Sequence, residues 1–475
     1  MTKPIWQWTA VETARAVRSR QVSALDVTEA HIERLRAANP AINAVVFDLT
    51  EEALEAARRA DEATARGEEP GALHGVPITI KENVDVKGWP NPNGVPGLAS
   101  TIAPDDAPLV RNLRGAGAII LGLTNTPEFS MRAFTDNPLH GPTHNPWNAG
   151  ITCGGSSGGA AAAIAAGIGT IAHGNDIGGS LRWPAHCCGV ATIKPTQGRI
   201  PAFNPSAAVE RPMLASLMSA QGPIARSVAD VRLALEVMSR RDPRDPWWVP
   251  APLRGPEPPK PIKVALARIP ADMEVAPHVR EALRRAADWL DDAGYAVEEA
   301  ELPDLNGVWR TWADVLSTEM ELMQGETMRA LGSDAYIRAA EGFRRIANQH
   351  GHLDFLHAIT RRSTHIRNWM LFLEDHPVIL APTTVRATPA PDADLGGDDA
   401  VRDIFWNDLR FISTINLLGL PGAVVPVGLH EGAPVGVQLI AGRYREDLAL
   451  DAAEAIERRA GMLVERLWAR NAQTH

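Results

Sequence analysis

Cysteine is nearly missing from this chain: three in 475 residues, Cys153, Cys187 and Cys188. An odd count with two adjacent members gives no disulfide framework. No Cys-x-x-Cys or His-Glu-x-x-His spacing supplies a metal site either. Basic blocks are missing too. The formal net charge is −10, spread along the chain, which argues against nucleic acid and anionic membrane as partners. The longest near-apolar run, Gly158 to Ala172, is too short and too rich in Gly and Ala to span a bilayer. Met1-Thr2-Lys3-Pro4-Ile5-Trp6 has no apolar h-region, so no signal peptide is expected and a cytoplasmic location follows. Neither Gly-x-x-x-x-Gly-Lys-[Ser/Thr] nor Gly-x-Gly-x-x-Gly occurs. Phosphate and dinucleotide cradles are therefore excluded, and no cofactor is expected.

What the chain does have is two serines embedded in glycine. Ser156 stands in Gly154-Gly155-Ser156-Ser157-Gly158-Gly159, and Ser180 in Asp176-Ile177-Gly178-Gly179-Ser180-Leu181-Arg182-Trp183-Pro184. Glycine lets the backbone take positive φ and lets a substrate approach the main chain closely. Free N–H groups in such turns can hold a developing negative charge. A serine so placed suits attack on an acyl carbon, although a flexible turn is the plainer reading of either segment alone. Gly154-Gly155-Ser156-Ser157-Gly158 also fits the Gly-x-Ser-x-Gly elbow of α/β-hydrolases. That elbow needs a buried strand before it. Ile151-Thr152-Cys153 is too short, and Asn145 to Gly150 reads as loop.

Together these segments resemble the amidase signature family. The resemblance extends to His74-Gly75-Val76-Pro77-Ile78-Thr79-Ile80-Lys81-Glu82-Asn83, Asn125-Thr126-Pro127-Glu128-Phe129, Gly222-Pro223-Ile224-Ala225-Arg226 and Leu420-Pro421-Gly422. It covers roughly 5–240 and 405–460. The stretch 245–400 carries no family motif. Two departures, His186-Cys187 before Cys188 and Trp183 at a commonly aliphatic site, touch packing rather than the nucleophile.

Val76, Ile78 and Ile80 alternate with Pro77, Thr79 and Lys81, a strand pattern that Lys81 ends. An edge-strand lysine that deters aggregation is the plainer reading. The resemblance instead makes Lys81 the base of a triad. It implies Ser180 as nucleophile, Ser156 as the bridge to Lys81 after a cis peptide bond, and N–H donors from Ile177, Gly178, Gly179 and Ser180. It also places Ser130 beside the substrate channel. His74, His173 and His186 flank the motifs and are read as structural.

Elsewhere helical and strand patterns alternate. Ser23 and Ser227 suit helix caps. Ile262–Ala267, Val378–Thr383, Ala423–Val427 and Val435–Ile440 suit strands. The expected fold is α/β, a large mixed sheet between helical layers, in one domain over 1–475. Within it, 1–70 forms a helical layer, 71–240 the catalytic core, 245–400 a variable specificity region and 401–475 a return to the sheet.

The resemblance implies an amidase that hydrolyses a C–N bond of a small, neutral or aromatic carboxamide through an acyl-enzyme. Acylhydrazides, anilides and esters share that chemistry. The amidase subunit of a tRNA-dependent amidotransferase and an inactive binding module are the rivals. The amidotransferase subunit usually carries a Gly-Ser-Ser-Thr-Glu-like run near the Phe129 position, where this chain has Ser130-Met131-Arg132-Ala133. All three triad positions are filled, against the inactive module. A small-molecule amide is the expected partner, and a homodimer is compatible with the reading.

Overall fold

Local signals set the outer helices. Thr9 Oγ1 accepts from the Glu12 N–H at 3.1 Å while the Glu12 carboxylate accepts from the Thr9 N–H at 2.8 Å, a reciprocal cap that opens the helix Ala10–Arg18. Ser23 and Asp26 repeat it for Ala24–Ile42. Ser227 caps Val228–Met238 through the Asp230 N–H. The computed structural model describes residues 3–473. Met1 and Thr2, part of the stretch read above for a leader, lie outside the described residues, as do 474–475.

The strands are β1 Val45–Asp48, β2 Pro77–Lys81, β3 Ile119–Thr124, β4 Ile171–Asp176, β5 Ala191–Lys194, β6 Ala220–Ala225, β7 Lys263–Ala267, β8 Ala296–Ala300, β9 Val378–Pro382, β10 Gly422–His430 and β11 Ala433–Ala441. They form one 11-stranded sheet in the order β1-β3-β2-β4-β6-β5-β10-β11-β9-β7-β8. Pairing is parallel where β2 meets β3 and β4, and where β7 meets β8 and β9. The remaining pairs are antiparallel. The fold is thus the mixed-sheet α/β architecture expected from the sequence.

Alternate residues of the central strands feed two separate cores. Ile80, Ile120, Ile171, Ala225 and Val425 belong to one. Leu121, Ala172, Ile224 and Val424 belong to the other, with the helix Gly158–Ala166. All nine residues of that helix are buried. Its small side chains let it lie close under the sheet, directly after Ser156 and Ser157.

Three strands lie outside the sequence expectation, each for a physical reason. β1 has only four residues between two helices, too few for a period to register. β6 contains Gly222 and Pro223, both depleted in strands. Its Pro223 lies opposite His173, and its carbonyl accepts from Thr192 Oγ1 at 2.7 Å instead. β8 is an edge strand with exposed Glu298 and Glu299, so it lacks an apolar stripe.

The topology positions the site. β2 lies between β3 and β4, and all five of its residues are buried. The edge-strand reading of Lys81 therefore fails. Because β2 and β4 are parallel, Lys81 and Asp176 leave the sheet at the same edge, the carboxyl end where open α/β sheets bind ligands. The helices Leu305–Leu331 and Asp334–Ile346 and the segment Asp403–Leu418 supply the facing wall. Among the described residues no helix is long and apolar enough to cross a membrane.

Candidate active site

Lys81 is fully buried at the end of β2. Its Nζ lies 2.7 Å from Ser156 Oγ, 2.8 Å from Asn175 Oδ1 and 3.3 Å from Ser157 Oγ. Burial drives its pKa well below the ordinary lysine value. Asp176 and Glu82 pull the other way and are outweighed, while Arg211 assists the lowering. That lowering favours the neutral amine, the form with two protons and one lone pair. Asn175 Oδ1 can only accept, so it takes one proton. The Ser157 hydroxyl donates to the Asn175 carbonyl at 3.3 Å and is left to accept the other. In that neutral form the lone pair faces Ser156 Oγ at 2.7 Å, whereas an ammonium donates to it.

Asn175 was not foreseen. Its amide nitrogen donates to Asn83 Oδ1 at 2.9 Å, and Asn83 Nδ2 donates to Ser130 Oγ at 2.9 Å. Asn204 Nδ2 fixes the Asn83 carbonyl at 2.9 Å. A usable sequence signal existed: an Asn one position before Asp176 on β4 and another two after Lys81 put two amides at neighbouring strand ends. Ser130 does line the cavity described below. Its hydroxyl, however, is committed to Asn83, to Thr126 Oγ1 at 3.0 Å and to Asn93 Oδ1 at 2.6 Å.

The peptide bond between Gly155 and Ser156 is cis, as the resemblance implied. The Ser157 N–H donates to the Ser180 carbonyl at 3.2 Å, which ties the two glycine-serine segments together. Asp176 shapes the second segment. Its carboxylate accepts from the Gly179 N–H at 2.8 Å and the Leu181 N–H at 3.1 Å. Gly179 is thus a correction to the expected donor set, because its N–H is spent on Asp176. The N–H groups of Ile177, Gly178 and Ser180 have no acceptor among the described residues. Burial alone would raise the Asp176 pKa. The Arg182 guanidinium, on both carboxylate oxygens at 2.9 Å, outweighs it and holds the group down at about 2.

Two glycines here are required by close approach. A Cβ on Gly178 would come within 2.6 Å of the Trp312 ring, and one on Gly179, whose φ is +123°, would collide with Ile412. Trp312 Nε1 also donates to the Ile177 carbonyl at 2.9 Å, so this indole buttresses the donor segment.

Above the loop is a cavity of about 480 Å³, lined by Ser130–Ala133, Gly155, Ile177–Ser180, Trp312, Leu316, Phe343, Phe405 and Leu409. Phe343 meets Trp312 edge-on at 5.6 Å and Phe405 at 5.0 Å. Phe405 projects from a π-helical turn, Asp403–Asp408, a distortion frequent at functional sites. Arg132 is the charged residue in the lining. Asp394 grips it at 2.7 and 2.9 Å and Asp392 at 2.7 Å. Burial would lower its pKa, but the two aspartates raise it further still, so it remains a neutralised cation.

The three histidines near the motifs sit apart from the serines. His74 bonds Thr64, and His173 bonds Gln221. His186 accepts from the Gly436 N–H and stacks on Trp183. Burial depresses His173 to about 3 and His186 to about 4. Trp183 donates to the Ala133 carbonyl at 3.0 Å, so both unusual residues act in packing.

Comparison with known proteins gives a consistent result. The family described as Amidase matches residues 26–450. An indoleacetamide hydrolase of Bradyrhizobium diazoefficiens is 66% identical over 465 residues, covering 98% of this chain and 89% of the relative. An acylamidase of Rhodococcus erythropolis is 34% identical over 483 residues, covering 96% of each. Among solved structures, a bacterial aryl acylamidase superposes with a TM-score of 0.80 at 27% identity, covering 98% of each chain.

Proposed function

The chain belongs to the amidase signature family and hydrolyses amides, and from that premise we propose that it cleaves a primary arylacetamide of the indoleacetamide kind through a Ser180 acyl-enzyme. The observation that carries this reading is the buried Lys81 Nζ, 2.7 Å from Ser156 Oγ, beside the glycine loop that presents Ser180.

Ser180 Oγ attacks the amide carbonyl carbon. Its proton passes to Ser156, whose own proton passes to the Lys81 lone pair. The electron pair displaced onto the carbonyl oxygen is met by the N–H groups of Ile177, Gly178 and Ser180. As the C–N bond breaks, the proton returns from Lys81 through Ser156 to the leaving nitrogen, and ammonia departs. Water then adds to the acyl-enzyme along the same proton path. The acid is released and Ser180 regains its hydrogen. Asn175 and Ser157 keep the two amine protons of Lys81 pointed away from Ser156, and so position its lone pair.

The substrate class rests on the cavity walls. Trp312, Phe343 and Phe405 offer ring faces and edges to a planar aryl group. Arg132 has its charge balanced by Asp392 and Asp394, so a neutral acyl group suits the site and a carboxylate does not. The 66% identity to an indoleacetamide hydrolase points the same way.

The test is covalent. A fluorophosphonate, or a slow ester of an arylacetic acid, should add its mass to the peptide that contains Ser180. Ser180→Ala should lose that adduct and arylacetamide hydrolysis while keeping its melting temperature. Labelling at Ser156 instead would overturn the assignment.

A further inference from the structure

A second cavity, of about 710 Å³, lies between the helices Leu305–Leu331 and Asp334–Ile346. It is larger than the cavity over Ser180, and the two share Met131, Leu316 and Phe343 as a common wall. On the reading above, that wall is the far end of the aryl site. We propose that the second cavity binds an uncharged apolar extension of the acyl group, so that the enzyme takes arylacetamides carrying an alkyl or second aryl substituent on the ring.

The lining supports an apolar occupant. Met320, Met328, Ile337 and Ala340 face the space. Methionine is unbranched and polarisable and adapts to occupants of different shape. The shared wall itself contains a methionine, a leucine and a phenylalanine and no charged side chain. The ionic groups of the cavity already have partners. Glu321 accepts from Arg329 at 2.9 and 3.0 Å and lies 3.7 Å from Arg344. Glu341 pairs with Arg345 at 3.6 Å. The Tyr336 hydroxyl donates to Met328 Sδ at 3.1 Å. A hydrocarbon occupant breaks none of these contacts.

The geometry also selects the acyl side over the nitrogen side. The leaving nitrogen has to face Ser156 and Lys81, and neither lines either cavity. The shared wall is reached from the other substituent of the carbonyl, through the ring.

The experiment compares three amides: phenylacetamide, para-hexylphenylacetamide and N-hexylphenylacetamide. Two variants, Ala340→Phe and Met328→Trp, fill the second cavity independently. The unaltered protein should hydrolyse the para-hexyl amide with a kcat/KM at least equal to that of phenylacetamide. In each variant the ratio of para-hexyl to parent kcat/KM should fall by about tenfold or more, through KM, since a buried methylene contributes roughly fourfold to binding. Ser180→Ala should bind the para-hexyl amide in equilibrium dialysis, and adding either filling substitution should weaken that binding. A ratio and affinity that stay constant in both variants overturn the proposal. So does a fall confined to the N-hexyl amide, or failure of the para-hexyl amide to bind. Failure to hydrolyse phenylacetamide strikes the reading of the first cavity instead, and the dialysis still decides the second.

Discussion

On the strand-end side of the catalytic cavity, Lys81, Asn175, Asn83 and Ser157 hold one another through hydrogen bonds of 2.8 to 3.4 Å. On the helical side, Trp312, Leu316 and Phe343 present rings and methyls to the same space. The first set is directional: moving one atom by an ångström loses a bond. The second is held by area and dispersion, which tolerate exchange of one apolar group for another of similar size. On the proposed mechanism, chemistry is fixed on one side and choice of substrate on the other. Substitutions on the strand side should depress every amide alike, while those on the helical side should re-rank them.

The largest effect is expected at the base. Lys81→Ala should lower kcat/KM for an arylacetamide by about a thousandfold or more. The matched ester should lose less, because its leaving group departs with little protonation, and Ser156→Ala should show the same bias less severely. Equal losses for amide and ester would mean that Lys81 does not protonate the leaving group.

A smaller effect tests whether Asn175 tunes the amine. On the proposed mechanism the base works as the neutral amine, so activity should rise with pH until the lysine–serine network is deprotonated. Asn175→Asp sets a carboxylate 2.8 Å from Nζ in place of a neutral amide oxygen. An adjacent negative charge favours the ammonium and raises the pKa. The rising limb of the kcat–pH profile should move to higher pH by about one unit or more, so that activity at a fixed pH on that limb falls about tenfold. A profile that stays in place would leave Asn175 with a purely structural part.

The smallest effect should come from the helical wall. Phe343→Ala should cost an arylacetamide about three- to fivefold in kcat/KM, the loss of one ring contact of roughly 0.7–1 kcal/mol. Propionamide should change by about twofold at most. If both amides fall together, the wall supports the catalytic loop as well and the division between the sides is less sharp.

The same division governs what the sequence discloses. Ser156 and Ser180 stand out because they sit in strings of glycine and small residues, whereas Lys81 ends an apolar strand and stands out only through the family resemblance. Strand β2 is legible through alternation, and β10 and β11 through short apolar runs. Phe343 and Trp312 are not, since an aromatic at helical spacing looks the same whether it faces a core or a ligand; only the fold brings them opposite Gly178. Asn175 is hidden because its partner lies on a neighbouring strand. The Gly179 donor was misassigned because spacing does not reveal that Asp176 folds back three residues along its own chain.

The clamp on Arg132 has a consequence for turnover. Hydrolysis converts a neutral amide into a carboxylate within a space whose lining cation already carries two aspartates. For an arylacetamide, reactant and product share the same ring and differ in charge, and the cavity lining has no unspent positive side chain with which to retain the anion. Product inhibition by the arylacetate should therefore be weak, and the acid should vacate the site for the next amide even as it accumulates in solution.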